Sequence, residues 1–337
     1  MAPTDARVTG PHTISRHEAG VFPAMAMLAG MQLEVFTTLK DGPLSAEEVA
    51  TAINVNAIKL RPLLHALVAA DLLNLQNDRF TNTVEADTYL VAGKPFYMAG
   101  SRRQFYNDIW AGLLKTAASI RAGTPQHKHN FYSMSEEEMT AFFRGQHFNA
   151  VAAGEQLARI VDLSQFQRVL DVGTGSAGVG IGILRVCPGL SVTLADLPQV
   201  IPVTRLFVAE AAIADSVTIT AIDLLAGAPD GTYDLAIMRN LIQILSLDDA
   251  LTALRHVARS LISGGTLIIV GSMLDDSRQS PIDLVGLNLV FLNIYDDGLI
   301  YTEGEYRALL AEAGFSISAV RRGEMPAGNV LISARRT

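Results

Sequence analysis

At 337 residues the chain is long enough for about two domains and a sizeable core. Hydrophobic residues make up 49% and charged residues 18%, which excludes a disordered chain, and the net charge of −8 argues against nucleic acid or an anionic membrane surface as a partner. The single cysteine, Cys187, excludes an intramolecular disulfide and a Cys-rich metal site, and reads as a buried small apolar residue.

The opening MAPTDARVTGPHT has no basic start followed by an apolar core, so no signal peptide is expected. No run approaches about 18 uninterrupted apolar residues, so no membrane-spanning helix is expected either, and the expected location is the cytoplasm. VFPAMAMLAGM (21–31) is apolar on nearly all sides and is hard to bury in a small helical domain, which points to a subunit interface. In GPLSAEEVATAINV, Ser45 with Glu48 three residues on predicts a capping box and a helix. IKLRPLLHALVAADLL is a second amphipathic helix, and NLQNDRFTNT a hairpin turning at Asn77-Asp78. Helix-turn-helix-wing is the natural assembly. Its second helix offers Lys59, Arg61 and His65, but Glu47, Glu48, Asp71 and Asp78 lie nearby, so it has no basic face and DNA is not the expected ligand.

Residues 100–160 read as helices joined by the polar loop RAGTPQHKHNFYSM. His127 and His129 in that loop are expected on solvated surface. From 165 onward the rhythm becomes strand and helix in alternation: QRVLDV, SVTLAD, VTITAID, YDLAIMR and TLIIVGS are short β-branched-rich runs, most of them separated by helical stretches. That pattern predicts a parallel sheet with helices on both faces. FSISAVRR and NVLISARR, with only GEMPAG between them, predict a terminal antiparallel pair. The fold class expected is therefore α/β, a Rossmann-like sheet with an antiparallel last strand behind an N-terminal helical, winged-helix-like domain.

Residues 169–178, VLDVGTGSAG, bring Asp171 and then Gly173, Gly175 and Gly178. The spacing fits the dinucleotide fingerprint G-x-G-x-x-G. A carboxylate beside that loop would repel a pyrophosphate, whereas S-adenosylmethionine brings an ammonium and a sulfonium. A methyl-donor site is thus read ahead of a nicotinamide site. Open α/β sheets bind ligands beyond the carboxyl ends of their strands. There Asp196 is positioned for ribose hydroxyls with Leu197 against adenine, Asp223 for the adenine amino group with Leu224 beside it, and Arg239 ends the fourth strand.

With these residues in place the chain resembles the small-molecule O-methyltransferases typified by plant caffeic acid O-methyltransferase, which have many bacterial members in natural-product pathways. The likeness runs through FTTLKDGPLSAEEVA, LDVGTGSAG, Asp196-Leu197, Ile222-Asp223-Leu224 and YTEGEYRALLAEAGF. It implies a dimerising, non-DNA-binding winged-helix domain (1–100), a helical connector contributing to the substrate pocket (101–160) and an S-adenosylmethionine domain (161–337). It further implies that Asp171 and Gly173 hold the methionine end, with Gly175 in the same loop, that Asp196 binds ribose, and that Asp223 and Leu224 bind adenine. Arg239 would replace a cofactor-contacting lysine, while Phe142, Gln146 and Tyr295 would line the substrate pocket.

Against that family pattern, Gln243 occupies the position of the general-base histidine, and Gly271 and Ile300 stand where glutamates are usual. Gln243 can donate and accept hydrogen bonds but cannot take a proton near neutral pH. Two roles follow as expectations: Gln243 orients the acceptor, or His147, on the pocket-lining helix, is a relocated base. No carboxylate–histidine spacing suits a metal, and none is expected. The expected activity is methyl transfer to a small, largely apolar or aromatic molecule of secondary metabolism, without the usual histidine base, by C-methylation or proximity-driven O-methylation. The rivals are a relative that uses the same cofactor for hydroxylation or decarboxylation, and a ligand-sensing winged-helix regulator.

Overall fold

A computed structural model describes residues 10–337; the first nine residues, part of the stretch read for a signal peptide, lie outside the described residues. The chain divides into two compact units, one ending at Asn107 and one running from Asp108 to Thr337.

The first unit contains α1 (His12–Gln32), α2 (Val35–Thr38), α3 (Ala46–Ala52), α4 (Ala57–Ala69), a hairpin of β1 (Leu73–Gln76) and β2 (Arg79–Asn82), and α5 (Val84–Leu90). The Ser45–Glu48 capping box forms in both directions at the start of α3. Asn77 and Asp78 both take positive φ, 50° and 58°, as a tight hairpin turn demands of its two central residues. Val35, Phe36, Leu64, Leu67, Leu73 and Phe80 make the core, each at most 2% exposed. Arg61 is paired with Glu47 and Asp78, and Arg79 with Glu48, so both of these arginines are matched by carboxylates. On α1, Val21, Phe22 and Met25 stay 48%, 66% and 41% exposed.

Helix α6 (Ala99–Leu113) is followed in the second unit by α7 (Thr116–Ala122) and the long α8 (Glu136–Ile160). The sheet comprises β3 (Arg168–Val172), β4 (Ser191–Asp196), β5 (Val217–Ala221), β6 (Tyr233–Arg239), β7 (Leu261–Gly271), β8 (Phe315–Arg321) and β9 (Val330–Arg336). Its order is β5-β4-β3-β6-β7-β9-β8. All pairings are parallel except those of β9, which lies antiparallel between β7 and β8. Strand β7 starts at Leu261, earlier than the TLIIVGS run indicates, with a register shift opposite Tyr233 and Leu235.

The interleaved helices are α9 (Gly178–Val186), α10 (Ile201–Glu210), α11 (Leu247–Ser260), α12 (Ile282–Ile294) and α13 (Glu303–Glu312). Strand residues alternate between two cores: Leu235 and Ile237 of β6 face the layer holding Leu157 and Ile181, whereas Ala236 and Met238 face the layer holding Leu254 and Leu310. Burial on both faces is why these strands read as unbroken apolar runs. Cys187 is only partly buried at the edge of one core, rather than enclosed in it. Among the described residues no helix is long and apolar enough to cross a membrane.

Helices α8 and α9 approach too closely for ordinary side chains. A Cβ on Gly182 would lie 2.2 Å from Val151 O and 2.7 Å from Glu155 N, and one on Gly154 would lie 2.2 Å from Val179 O. The glycines set the spacing of the helix that follows the loop after β3 against the helix that carries Phe142, Phe143 and His147.

Candidate functional site

The loop from Gly173 to Ala177 turns directly off the carboxyl end of β3. Gly173, Gly175 and Ala177 take φ of 67°, 53° and 55°. A Cβ at Gly175 would meet the Phe143 ring at 2.5 Å, so the position needs glycine for space as well as for conformation. The Gly173 and Thr174 N–H groups donate to Ala195 O at 2.9 and 3.2 Å, and the Thr204 hydroxyl donates to Gly175 O at 2.8 Å. The loop is thereby tied to β4 and α10.

Asp171 lies beneath this loop at 1% exposure, and its Oδ2 accepts from the Thr174 hydroxyl at 2.7 Å. Burial raises its pKa to about 6; Thr174, the Gly180 N–H and Arg239 counter that rise, while Asp196 adds to it. Asp171 is thus an enclosed carboxylate pinned by the Thr174 hydroxyl beneath the glycine loop.

Asp196 is set differently. Its Oδ2 accepts from the Gly175 N–H at 2.7 Å and its Oδ1 from the Leu197 N–H at 2.8 Å. A carboxylate has about four acceptor positions, so two remain for a diol. Its pKa too is raised to about 6, by burial, against those two backbone bonds. Leu197 packs against the cluster of Met139, Val200, Val203 and Phe207. Asp223 lies two residues past β5, where Oδ1 accepts from the Leu225 N–H at 2.9 Å and Oδ2 from the Tyr132 hydroxyl at 3.1 Å. Burial, then Asp223, raise the Tyr132 pKa. Leu224 is buried beside it at 9% exposure.

At the end of β6 burial lowers the Arg239 pKa to about 10, partly offset by Asp171. Its buried Nε and the buried Oδ1 of the adjacent Asn240 have no hydrogen-bond partner. A donor and an acceptor are thus left unsatisfied where the strand ends meet, as expected at a site shaped for a polar ligand.

Gln243 is 4% exposed; its Oε1 accepts from the Ser272 N–H at 2.9 Å, just past β7. A Cβ on Gly271 would lie 2.8 Å from that same oxygen. The Gln243 amide therefore fills the space beside Gly271, and its Nε2 is the donor that remains. Ile300 is fully buried against Leu274 and Phe291.

His147 rests on Phe207 with ring centroids 4.5 Å apart, beside the Arg144–Glu210 ion pair. Burial first, then Arg144, lower its pKa to about 4. A ring held neutral so firmly is a weak proton acceptor near neutral pH, so this setting does not support the relocated-base expectation. Phe142 packs edge-on to Phe131 and Phe143, each at 5.4 Å, and Tyr295 edge-on to Phe291 at 5.5 Å, with its pKa raised by burial. Gln146 is partly buried on α8.

Two expectations are corrected here. His129 is 9% exposed, not solvated, and a carboxylate–histidine cluster does form: His127 Nε2 lies 2.7 Å from Asp108 Oδ1, and His129 Nε2 2.8 Å from Asp108 Oδ2. Sequence spacing hid this because Asp108 belongs to a helix well upstream of the loop. Thr174, Thr204, Tyr132 and Asn240 were also missed; of these only Thr174, inside the glycine motif, carried a local signal.

A sheet ordered in this way, with a glycine loop and acidic strand ends, defines a class I methyltransferase. The comparisons sharpen the class. Residues 118–316 match the model of the O-methyltransferase domain, and residues 16–92 that of the O-methyltransferase dimerisation domain. The chain belongs to this O-methyltransferase family and is an S-adenosylmethionine-dependent methyltransferase. It is similar to the 3-hydroxy-5-methyl-1-naphthoate 3-O-methyltransferase of Streptomyces sahachiroi, 26% identical over 96% of this chain and 94% of that protein. It is also similar to the N,N-dimethyltransferase OxyT of Streptomyces rimosus, 28% identical over 92% of each. The fold matches human N-acetylserotonin methyltransferase in complex with SAM, with a TM-score of 0.83, 21% identity and coverage of 100% of this chain and 99% of that one.

Proposed function

We propose that the chain methylates a small, largely apolar aromatic molecule of secondary metabolism, without the family's usual histidine base. The observation that carries this reading is Gln243, whose carbonyl oxygen is spent on the Ser272 N–H and whose amide cannot accept a proton. The acceptor is then an electron-rich carbon or a hydroxyl placed for direct transfer. The relative named for O-methylation of a hydroxynaphthoate supports an aromatic hydroxyl compound as the substrate class.

The methyl donor supplies an electrophilic methyl on a sulfonium. Asp196 would hold its ribose, Asp223, Leu197 and Leu224 its adenine, and the Gly173–Gly175 loop its methionine end, with Asp171 and Arg239 setting the field there. The buried unpartnered Arg239 Nε and Asn240 Oδ1 suit the carboxylate and ammonium of that end. Phe142, Gln146 and Tyr295 would line the acceptor pocket, and Gln243 Nε2 would orient the acceptor. Holding donor and acceptor in line supplies most of the acceleration in such a transfer. The chain acts as a homodimer formed mainly by residues 1–110; the exposed Val21, Phe22 and Met25 of α1 support this.

Calorimetry tests the donor site. S-adenosylmethionine binds at micromolar affinity, NAD does not bind, and Asp196→Ala weakens the donor by about 1–3 kcal/mol by stranding the ribose hydroxyls. NAD binding, or an unchanged Asp196→Ala, overturns the assignment. Incubation with hydroxynaphthoates and hydroxyindoles, read by mass spectrometry, tests the chemistry: gain of a methyl supports the reading, and gain of oxygen or loss of carbon dioxide supports the non-methylating rival. A gel shift with DNA would support the regulator.

A further inference from the structure

With position 243 unable to take a proton, any hydroxyl acceptor still needs somewhere to lose one. The Asp108–His127–His129 cluster answers that need. An ionised carboxylate only accepts hydrogen bonds, and Asp108 is held ionised, its pKa lowered chiefly by His129 and then by His127 against burial. Both Nε2 atoms lie within 2.8 Å of it and must therefore donate. In neutral His129 the lone pair is then on Nδ1. That Nδ1 is buried and has no hydrogen-bond partner. A buried acceptor left open costs free energy until a donor reaches it.

The cluster is rigid. His127 N–H and His129 N–H donate to Asn293 O and Ile294 O at 3.0 and 2.8 Å, laying the loop along the end of α12 next to Tyr295. The Ser119 hydroxyl donates to Asn293 Oδ1 at 2.7 Å and accepts from the Gln126 N–H at 3.0 Å, and Asn293 Nδ2 donates to Thr116 Oγ1 at 2.8 Å. Position matters as much. The His129 ring stands edge-on to Phe142 at 5.3 Å, Phe142 to Phe143 at 5.4 Å, and Phe143 closes on Gly175. Two aromatic rings, Phe143 and Phe142, run in contact from the glycine loop to the His129 ring.

We propose that His129 Nδ1 is the general base for the methyl acceptor, with Asp108 as the residue that orients it; this rests on the methyl-transfer reading above. The acceptor O–H bond breaks as Nδ1–H forms. The freed oxygen pair, directly or through the conjugated ring carbon, forms the bond to methyl while the methyl–sulfur pair stays on sulfur. The imidazolium faces the Asp108 carboxylate, and the proton passes to water through the half-exposed Asp108 side. The other titratable and charged groups around the cluster are the His127 imidazole, the Lys128–Asp296 ion pair and Glu138, whose carboxyl feels Asp108.

Histidine ¹⁵N NMR on the protein bound to S-adenosylhomocysteine tests the assignment without turnover, with His129→Gln identifying the resonances. The expected spectrum shows Nε2 protonated and Nδ1 bare, with Nδ1 moving towards the protonated range when 2-naphthol is added. A protonated Nδ1, an Nδ1 indifferent to naphthol, or a divalent metal retained in stoichiometric amount by the wild type and lost in His129→Gln overturns it. In turnover with a hydroxynaphthoate, His129→Gln should lose about 100-fold or more in kcat with S-adenosylhomocysteine affinity unchanged. Added imidazole should restore part of the His129→Ala rate and none of that of Asp196→Ala. Asp108→Asn should keep the affinity, lower kcat and move the pH profile. Failure of S-adenosylhomocysteine to bind the wild type refutes the underlying reading, whereas normal binding with an unresponsive His129 refutes only the base.

Discussion

Gly182→Ala is the sharpest test of the packing beneath the site. A Cβ there would lie 2.2 Å from Val151 O and 2.7 Å from Glu155 N, where ordinary contact begins at 3.4 Å. Both obstacles are α8 backbone, so no side chain can swing aside and the helices must part by about 1.2 Å, the difference of 3.4 and 2.2. A radial gap of about 0.5–1 Å already forfeits a quarter to a half of each dispersion contact, and Leu157, Ile181 and Ile183 fill the adjoining core. Overpacking of this kind costs about 1–3 kcal/mol, here at the upper end, while alanine recovers about 1 kcal/mol of helix propensity. The net expectation is a loss of about 2 kcal/mol, read as a lower urea midpoint at unchanged slope. Gly286→Ala on α12, where a Cβ meets nothing within 4 Å, is the control and should be neutral or stabilise by up to about 1 kcal/mol. If the two variants unfold at the same midpoint, close helix approach is not what these glycines provide.

Asp171 and Asp196 are each raised to about 6 by burial, so they are ionised above that pH and neutral below it. A cationic donor favours the ionised forms, and the ratio of S-adenosylmethionine to S-adenosylhomocysteine affinity should therefore fall as pH drops from 7.5 to 5; a flat ratio by calorimetry refutes the field argument. Gln243→Ala leaves the buried Ser272 N–H unpaired. It should cost about 1–3 kcal/mol of stability and slow turnover by about 10–100-fold, and a calorimetric melt identical to wild type would contradict the bond. Light scattering at micromolar concentration should give a dimer, and Phe22→Glu should dissociate it; a wild-type monomer rejects the α1 interface.

Local features of the fold were legible in the sequence because their causes are local. The Ser45 capping box, the Asn77-Asp78 turn and the glycine loop each depend on residues a few positions apart. Strand runs and the antiparallel end followed from composition and a short connection. The site was legible only as positions. Strand patterning put Asp171 and Asp196 near the carboxyl ends of β3 and β4, where they lie, but could not reveal that Asp171 is enclosed, because its burial is set by Thr174 and α9 packing over it. The polar loop carrying His127 and His129 read as solvated since its carboxylate, Asp108, and its backbone acceptors on α12 come from distant parts of the chain. Tyr132 on Asp223 and Gln243 on Ser272 are equally long-range and left no local trace.

The Gln243–Gly271 pair constrains how this chain can change. A glutamate introduced at 271 meets the Gln243 oxygen 2.8 Å from its Cβ, and replacing Gln243 first abandons the Ser272 N–H. Either change made alone therefore passes through a weakened protein, which couples the two positions. Positions 243 and 271 thus behave as one unit of sequence, fixed by their mutual packing rather than by either residue alone.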